Sequence, residues 1–153
     1  MLAVAARSLL ASQVRQQSPA LWKAAQAGYA AAAGSKVVEL QSDAEYQAAL
    51  KELAASKGGA IIDFSAVWCG PCKMIAPVYD QLAQEFPSVK FYKVDIDNQS
   101  LSQAVTENSV AAVPTFVGYQ GADRVTAFSG ADKAMLRRLA LELSGGHLKS
   151  PGQ

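Results

Sequence analysis

A chain of 153 residues suits one domain with an extension and is too short for two ordinary domains. Half of its residues are hydrophobic and 18% are charged, a globular rather than disordered composition, and a net charge of +1 argues for neither a nucleic-acid nor a membrane partner. Two cysteines, Cys69 and Cys72, with one histidine, His147, exclude a disulfide framework and a four-ligand structural zinc site within one chain.

The charge is unevenly spread. Arg7, Arg15 and Lys23 precede the first carboxylate, Glu39; without those three the remainder holds 11 cations against 13 carboxylates. Residues 1–34 are therefore a basic, acid-free, Ala- and Ser-containing leader, the profile of an organelle transit peptide, with cleavage expected near residues 28–36. Leu2, Leu9, Leu10 and Val14 can share a helical face with Arg7 and Arg15 on the polar side. That Arg-bearing helix points to the mitochondrial matrix, with the chloroplast stroma as the alternative. Arg7 interrupts the apolar stretch that a secretory signal would need. No apolar run approaches the roughly 18–20 residues of a membrane-spanning helix.

The domain is expected over residues 35–146. Lys36–Leu40 is a short strand. Ser42 and Glu45 form a capping box for a helix in which Tyr46, Leu50, Leu53 and Ala54 recur at helical spacing until Gly58-Gly59. Ala60–Ala66, apolar except for Asp63 and Ser65, suits a central strand covered on both faces. Residues 69–86 read as a helix with Ile75, Val78 or Tyr79, Leu82 and Phe86 inward and a kink at Pro77. Val89–Val94 is the next strand, and Leu101, Ala104 and Val105 mark a short helix. Thr115–Tyr119, a turn at Gln120-Gly121 and Arg124–Phe128 form an antiparallel hairpin. A last helix buries Met135, Leu136, Leu139 and Leu143 and stops at Gly145-Gly146, leaving 147–153 as a flexible tail. The alternation of strands and helices implies parallel pairing, closed by antiparallel strands: an α/β fold with one mixed sheet and helices on both faces.

Trp68-Cys69-Gly70-Pro71-Cys72-Lys73 follows a strand and opens a helix. C-x-x-C in that setting is a redox signature. Cys69 falls at a helix N-terminus, where free N–H groups and the dipole favour thiolate, and Cys72 stands about one turn on, within reach of it. Gly70 lets a partner backbone come close, and Pro71 sits where a missing N–H costs little. A structural clip and half of a metal site bridging two chains are the other readings of the pair. Asp63, on a strand expected to be buried, has either a raised pKa suited to proton transfer or a route to water at the strand end. Pro114 either simply starts a strand or makes a cis turn near a site. His147, in the tail, is badly placed as a catalytic base, which sets aside a Cys–His hydrolase.

From about Lys36 to Leu143 the chain resembles the thioredoxin family. The resemblance rests on Ile62-Asp63-Phe64-Ser65-Ala66, Trp68 to Lys73, Ala76-Pro77, Lys93-Val94-Asp95-Ile96-Asp97, Val113-Pro114-Thr115-Phe116 and Phe128-Ser129-Gly130-Ala131, all in family order. It implies a thioredoxin fold, a central five-stranded mixed sheet flanked by four helices. It implies a protein-disulfide reductase with Cys69 as nucleophile, Cys72 as resolving cysteine and a redox disulfide between them. Asp63 becomes the proton acceptor at Cys72, with Lys93 tuning it. Pro114 becomes the cis-proline. Trp68, Gly70, Pro71, Val113, Pro114, Gly130 and Ala131 form the substrate-binding rim. Ser65 stands where many bacterial members have Trp, and Val67 occupies a frequently polar position. Tyr92 to Asp97 and Ser109 to Pro114 look most like the mitochondrial, o-type plant members. No bound cofactor or metal is implied; electrons come from NADPH through a thioredoxin reductase, and the partners are that reductase and disulfide-containing targets of a monomer. An intact cysteine pair and Asp63 argue against a purely non-catalytic interaction module.

Overall fold

A computed structural model describes residues 35–145. The expected leader 1–34, Gly146 and the tail with His147 lie outside the described residues. The elements are β1 (Val37–Glu39), α1 (Asp43–Ser56), β2 (Gly59–Ser65), α2 (Gly70–Glu85), β3 (Val89–Asp95), a 3-10 turn (Gln99–Leu101) running into α3 (Ser102–Glu107), β4 (Thr115–Gln120), β5 (Asp123–Ser129) and α4 (Lys133–Leu143). The sheet order is β1-β3-β2-β4-β5, with β1, β3 and β2 parallel and β4 antiparallel to both β2 and β5. This is the mixed five-stranded sheet with four helices that the sequence implies.

All seven residues of β2 are buried, because both neighbours in the sheet and helices on both faces cover it. Alternation along the strand divides the core. Ile61 packs with Ile75, Tyr79 and Leu82 of α2 and Leu136, Leu139 and Leu143 of α4. Ile62 and Phe64 pack on the other side with Tyr46 and Leu53 of α1 and Leu101 and Ala104. Asp63 and Ser65 therefore share the α2 side with Ile61. On the α1 side a closed polar triangle is buried: the Asn108 amide donates to the Tyr46 hydroxyl at 2.9 Å, Tyr119 donates to the Asn108 oxygen at 2.7 Å, and the two hydroxyls lie 3.2 Å apart. Each polar group of this triangle finds a partner, which offsets its desolvation.

Several local expectations shift. Ser42 Oγ accepts from Glu45 N at 3.3 Å, but the Glu45 carboxylate returns to Gln41 N at 2.8 Å rather than to the cap residue. α1 ends on Lys57, which takes the left-handed conformation at φ 52°, not on Gly58. Ties to the hairpin hold that stretch: Gln120 donates to Lys57 O at 2.7 Å and Gly121 N to Gly58 O at 2.8 Å. Ala54 is exposed and Leu50 only half-buried, while Ala49 is buried. In α2 Tyr79 is the buried residue of the two candidates, while Val78 and, at the helix end, Phe86 are half-buried and pack against the same core. The hairpin turn falls at Gly121-Ala122, with Gly121 at φ 60°. Met135 is 50% exposed, because Asp132 caps α4 by accepting from Met135 N and sets the helix phase on Leu136, Leu139, Ala140 and Leu143.

Gly59 is demanded by packing. A Cβ there would stand 2.7 Å from the Leu143 carbonyl oxygen, and backbone cannot turn aside as a side chain can. Gly59→Ala is expected to cost about 1–3 kcal/mol in urea unfolding, the scale of overpacking. Gly118→Ala, whose Cβ meets the end of the Leu139 side chain at 2.8 Å, should cost less. An unchanged midpoint for Gly59→Ala would contradict this packing.

Candidate active site

β2 ends at Ser65 and three residues lead to Cys69, which immediately precedes α2. Cys69 is the N-cap of α2, with extended dihedrals (φ −82°, ψ 111°), and its Sγ accepts from Cys72 N at 3.2 Å. The helix N-terminus thus points an unpaired N–H at sulfur, the arrangement that stabilises negative charge there. Cys69 and Cys72 are joined as a disulfide with a Cα–Cα separation of 5.3 Å. Pro71 lies in the first turn, where no intrahelical partner is lost. Gly70 has an ordinary φ and nothing within 4 Å of a Cβ built on it, so the chain itself does not require glycine there. Pro77 sits inside α2 as expected.

Ala66, Cys69 and Cys72 form a small cluster of their own, with Val113 and Ile96 packed against it. The Val113–Pro114 bond is cis, and Pro114 O accepts from Gly130 N at 2.8 Å. Gly130 holds φ 104°, a backbone conformation that L side chains adopt only with strain. The Val113 N–H and C=O have no backbone or side-chain partner among the described residues. Trp68 is 65% exposed and its indole N–H is held by Asp97 Oδ2 at 2.8 Å. Val67 and Met74 are also exposed beside the pair, and Ala131 is exposed after Gly130. Cys69, Cys72, Val113 and Pro114 are therefore brought together, with Gly130 tied to Pro114 and Trp68 lying on the surface.

Behind the sulfurs is a cavity of about 280 Å³ whose wall includes Asp63, Ser65, Cys72, Lys73, Tyr79 and Lys93, with the carboxylates Glu39, Asp80 and Asp95. Asp63 is only 3% exposed and its Oδ1 has no hydrogen-bond partner. Burial pushes its pKa from 3.8 to about 7, against the opposing pull of the Lys93 charge. Lys93 is its partner in the β2–β3 register, half-buried on the parallel neighbour. The strand-end route to water is thus not what Asp63 has. The acid, its cation and Cys72 line one and the same cavity.

Three participants escaped the sequence reading. Ser65 Oγ is buried in the same wall without a partner. The Tyr79 hydroxyl, which also lines the cavity, shares its one proton between Tyr92 O at 2.7 Å and Ile61 O at 2.9 Å. Asp97, though within the quoted motif, was not singled out as the partner of Trp68. An acid two residues past the Lys93–Asp95 strand end was its only signal. Among the described residues no three His, Cys, Asp or Glu side chains are grouped to hold a metal ion.

Comparison with known proteins follows the same outline. The family described as Thioredoxin matches residues 37–141. Thioredoxin O2, mitochondrial, of Arabidopsis thaliana is 37% identical over 109 residues, covering 71% of this chain and 69% of that protein. Thioredoxin-2 of Saccharomyces cerevisiae is 37% identical over 102 residues, covering 67% and 93%. The crystal structure of the Arabidopsis thioredoxin O2 in the oxidised state superposes with a TM-score of 0.66 at 36% identity, over 72% of this chain and 96% of that one.

The raised acid has a stability consequence. Folded, Asp63 keeps its proton to about pH 7; unfolded, it releases it near 3.8. The folded state binds more protons across that window, so this contribution falls as pH rises from about 4 to 7. At roughly 1.4 kcal/mol per unit, about 4 kcal/mol is lost across it. In denaturant titrations of the oxidised protein, Asp63→Asn should remove that slope and be more stable than the parent at pH 8. Equal slopes in the two proteins would contradict a buried, uncompensated carboxyl.

Proposed function

The chain belongs to the thioredoxin family, and from that premise we propose how its residues divide the work of reducing protein disulfides. It is a thiol–disulfide oxidoreductase acting by dithiol–disulfide exchange. The observation that carries the assignment of roles is the Cys69–Cys72 pair at the start of α2 with Cys72 opening on the Asp63 cavity.

In the reduced protein the Cys69 thiolate attacks one sulfur of a target disulfide. The target S–S bond breaks, a mixed disulfide forms, and one target thiolate leaves. Cys72 gives its proton to the Asp63 carboxylate and attacks Cys69 Sγ. The mixed disulfide breaks, the second target sulfur leaves as thiolate and is protonated, and Cys69–Cys72 forms. Two electrons pass from the chain's thiols to the target. Burial makes Asp63 a base of about the right strength for this near neutral pH, and Lys93 keeps the carboxylate accessible by opposing that burial. Trp68, Gly70, Pro71, Val113, Pro114, Gly130 and Ala131 form the rim that receives the target. The open space over Gly70 and the unpartnered Val113 backbone support that role, since an extended peptide can add its own N–H and C=O there.

The oxidised chain is recharged by a thioredoxin reductase drawing on NADPH, and it acts as a monomer in the mitochondrial matrix after loss of residues 1–34. The acid-free leader and the mitochondrial names of Arabidopsis relatives support this location. A fluorescent fusion of residues 1–40 should enter mitochondria; accumulation in plastids would redirect the chain to a ferredoxin-linked reductase.

The mechanism is tested by insulin reduction with residues 35–153, NADPH and a thioredoxin reductase. Cys69→Ser and Cys72→Ser should both abolish turnover, and Cys72→Ser alone should accumulate a mixed disulfide with the target. Sustained turnover in either variant, or mixed disulfide through Cys72 instead, would contradict the assigned roles.

A further inference from the structure

Thr115 begins β4 immediately after the cis-proline, is 5% exposed, and carries a hydroxyl placed between the loop before β4 and the end of β5. Its Oγ1 donates to Ala112 O at 2.6 Å and lies 2.7 Å from Ser129 Oγ. A threonine hydroxyl has a single proton. Since that proton serves the carbonyl, which can only accept, Ser129 must be the donor in the second bond. A directed relay thus runs from Ser129 through Thr115 to Ala112. One residue beyond this rung, Gly130 N donates to Pro114 O at 2.8 Å. Segments 112–114 and 129–131 are locked together by hydroxyls on one side and backbone on the other.

The consequence falls on Val113. The peptide joining Ala112 to Val113 is trans, since the one cis bond among the described residues is Val113–Pro114. In a rigid trans peptide plane the C=O and the N–H point in opposite directions. Holding Ala112 O inward on Thr115 therefore aims the Val113 N–H outward. That N–H has no partner among the described residues.

We propose that the Thr115 hydroxyl is a positioning group for substrate: by pinning the Ala112 carbonyl, with Ser129 as its donor, it presents the Val113 N–H to the backbone of an extended polypeptide carrying the disulfide. This rests on the reading of Val113, Pro114, Gly130 and Ala131 as the substrate rim. Valine matches threonine in shape and lacks the proton, so Thr115→Val frees the peptide plane with little change in packing, whereas Thr115→Ser retains the bond.

Steady-state insulin reduction separates the possibilities. Thr115→Val should raise KM about 5-fold, the scale of one ordinary hydrogen bond, with kcat within 2-fold. Thr115→Ser should return KM to within 2-fold of the parent. The ratio of insulin activity to activity on a small aromatic disulfide, which offers no peptide backbone, should fall in Thr115→Val by the same factor as KM rises. Ser129→Ala, an exposed position where folding is safe, should raise KM about 2-fold and supplies the test should the valine variant fail to fold. A fall in kcat without a rise in KM, or failure of serine to rescue, would mean a merely structural hydroxyl and overturn the proposal. Ala131→Glu, which alters the rim itself, is run in parallel. KM raised by Ala131→Glu but not by Thr115→Val overturns the clamp alone; KM raised by neither overturns the rim reading with it.

Discussion

Asp63 is a carboxylic acid on a strand whose seven residues are all buried, and it has one oxygen without a partner. Leaving an acid in such a place costs free energy that an apolar Leu would not cost. The surrounding architecture both imposes and uses that cost. β2 is central in the sheet order, so neither edge reaches water, and α2 lies over the face that Asp63 shares with Ile61. The same strand, continued by three residues, delivers the cysteines to the start of α2. The acid and the sulfurs are thus held in fixed relation by one strand–helix passage, with Lys93 brought alongside by the β2–β3 register.

The two cysteines are equally buried, 4% and 5% exposed, so exposure does not distinguish their tasks. Position does. Cys69 is outside the helix, with its sulfur on the Cys72 N–H and against Val113, at the rim. Cys72 is inside the first turn and forms part of the cavity wall with Asp63. In the proposed mechanism the first sulfur meets the target and the second gives its proton to Asp63. Stabilising a thiolate at the first by helix N–H groups and accepting a proton from the second by a buried acid are separate physical devices. In the proposed mechanism their separation lets attack and resolution occur in sequence.

What was legible in the sequence was local. The C-x-x-C between a strand and a helix, the apolar run around Asp63, and the strand–helix alternation are all contained in short windows, and the structure bears out the element order. What escaped depends on meetings across the sheet. Tyr79 was one of two candidates for an inward position, and nothing in its own helix says that its hydroxyl ends on Ile61 and Tyr92. Thr115 and Ser129 are 14 residues apart and meet only because the hairpin register pairs them. Met135 was misread because the phase of α4 is set by the Asp132 cap and the Leu face, and a methionine at the edge of that face satisfies the spacing equally well. The glycines after α1 suggested a helix stop, but the close approach of Leu143 to Gly59 explains one of them instead. Those failures share a cause: a residue's spacing carries information on its own element and little on what the fold lays against it.

The central claim, that the base for the resolving cysteine is a carboxyl kept half-protonated near neutral pH by burial, is open to direct observation. The carboxyl carbon of Asp63 can be followed by nuclear magnetic resonance in oxidised protein labelled at aspartate, assigned by its loss in Asp63→Asn. The account predicts a titration centred near pH 7, as burial requires. A midpoint near pH 4, the ordinary aspartate value, would mean that water or a cation compensates the charge and would remove Asp63 from the role of base.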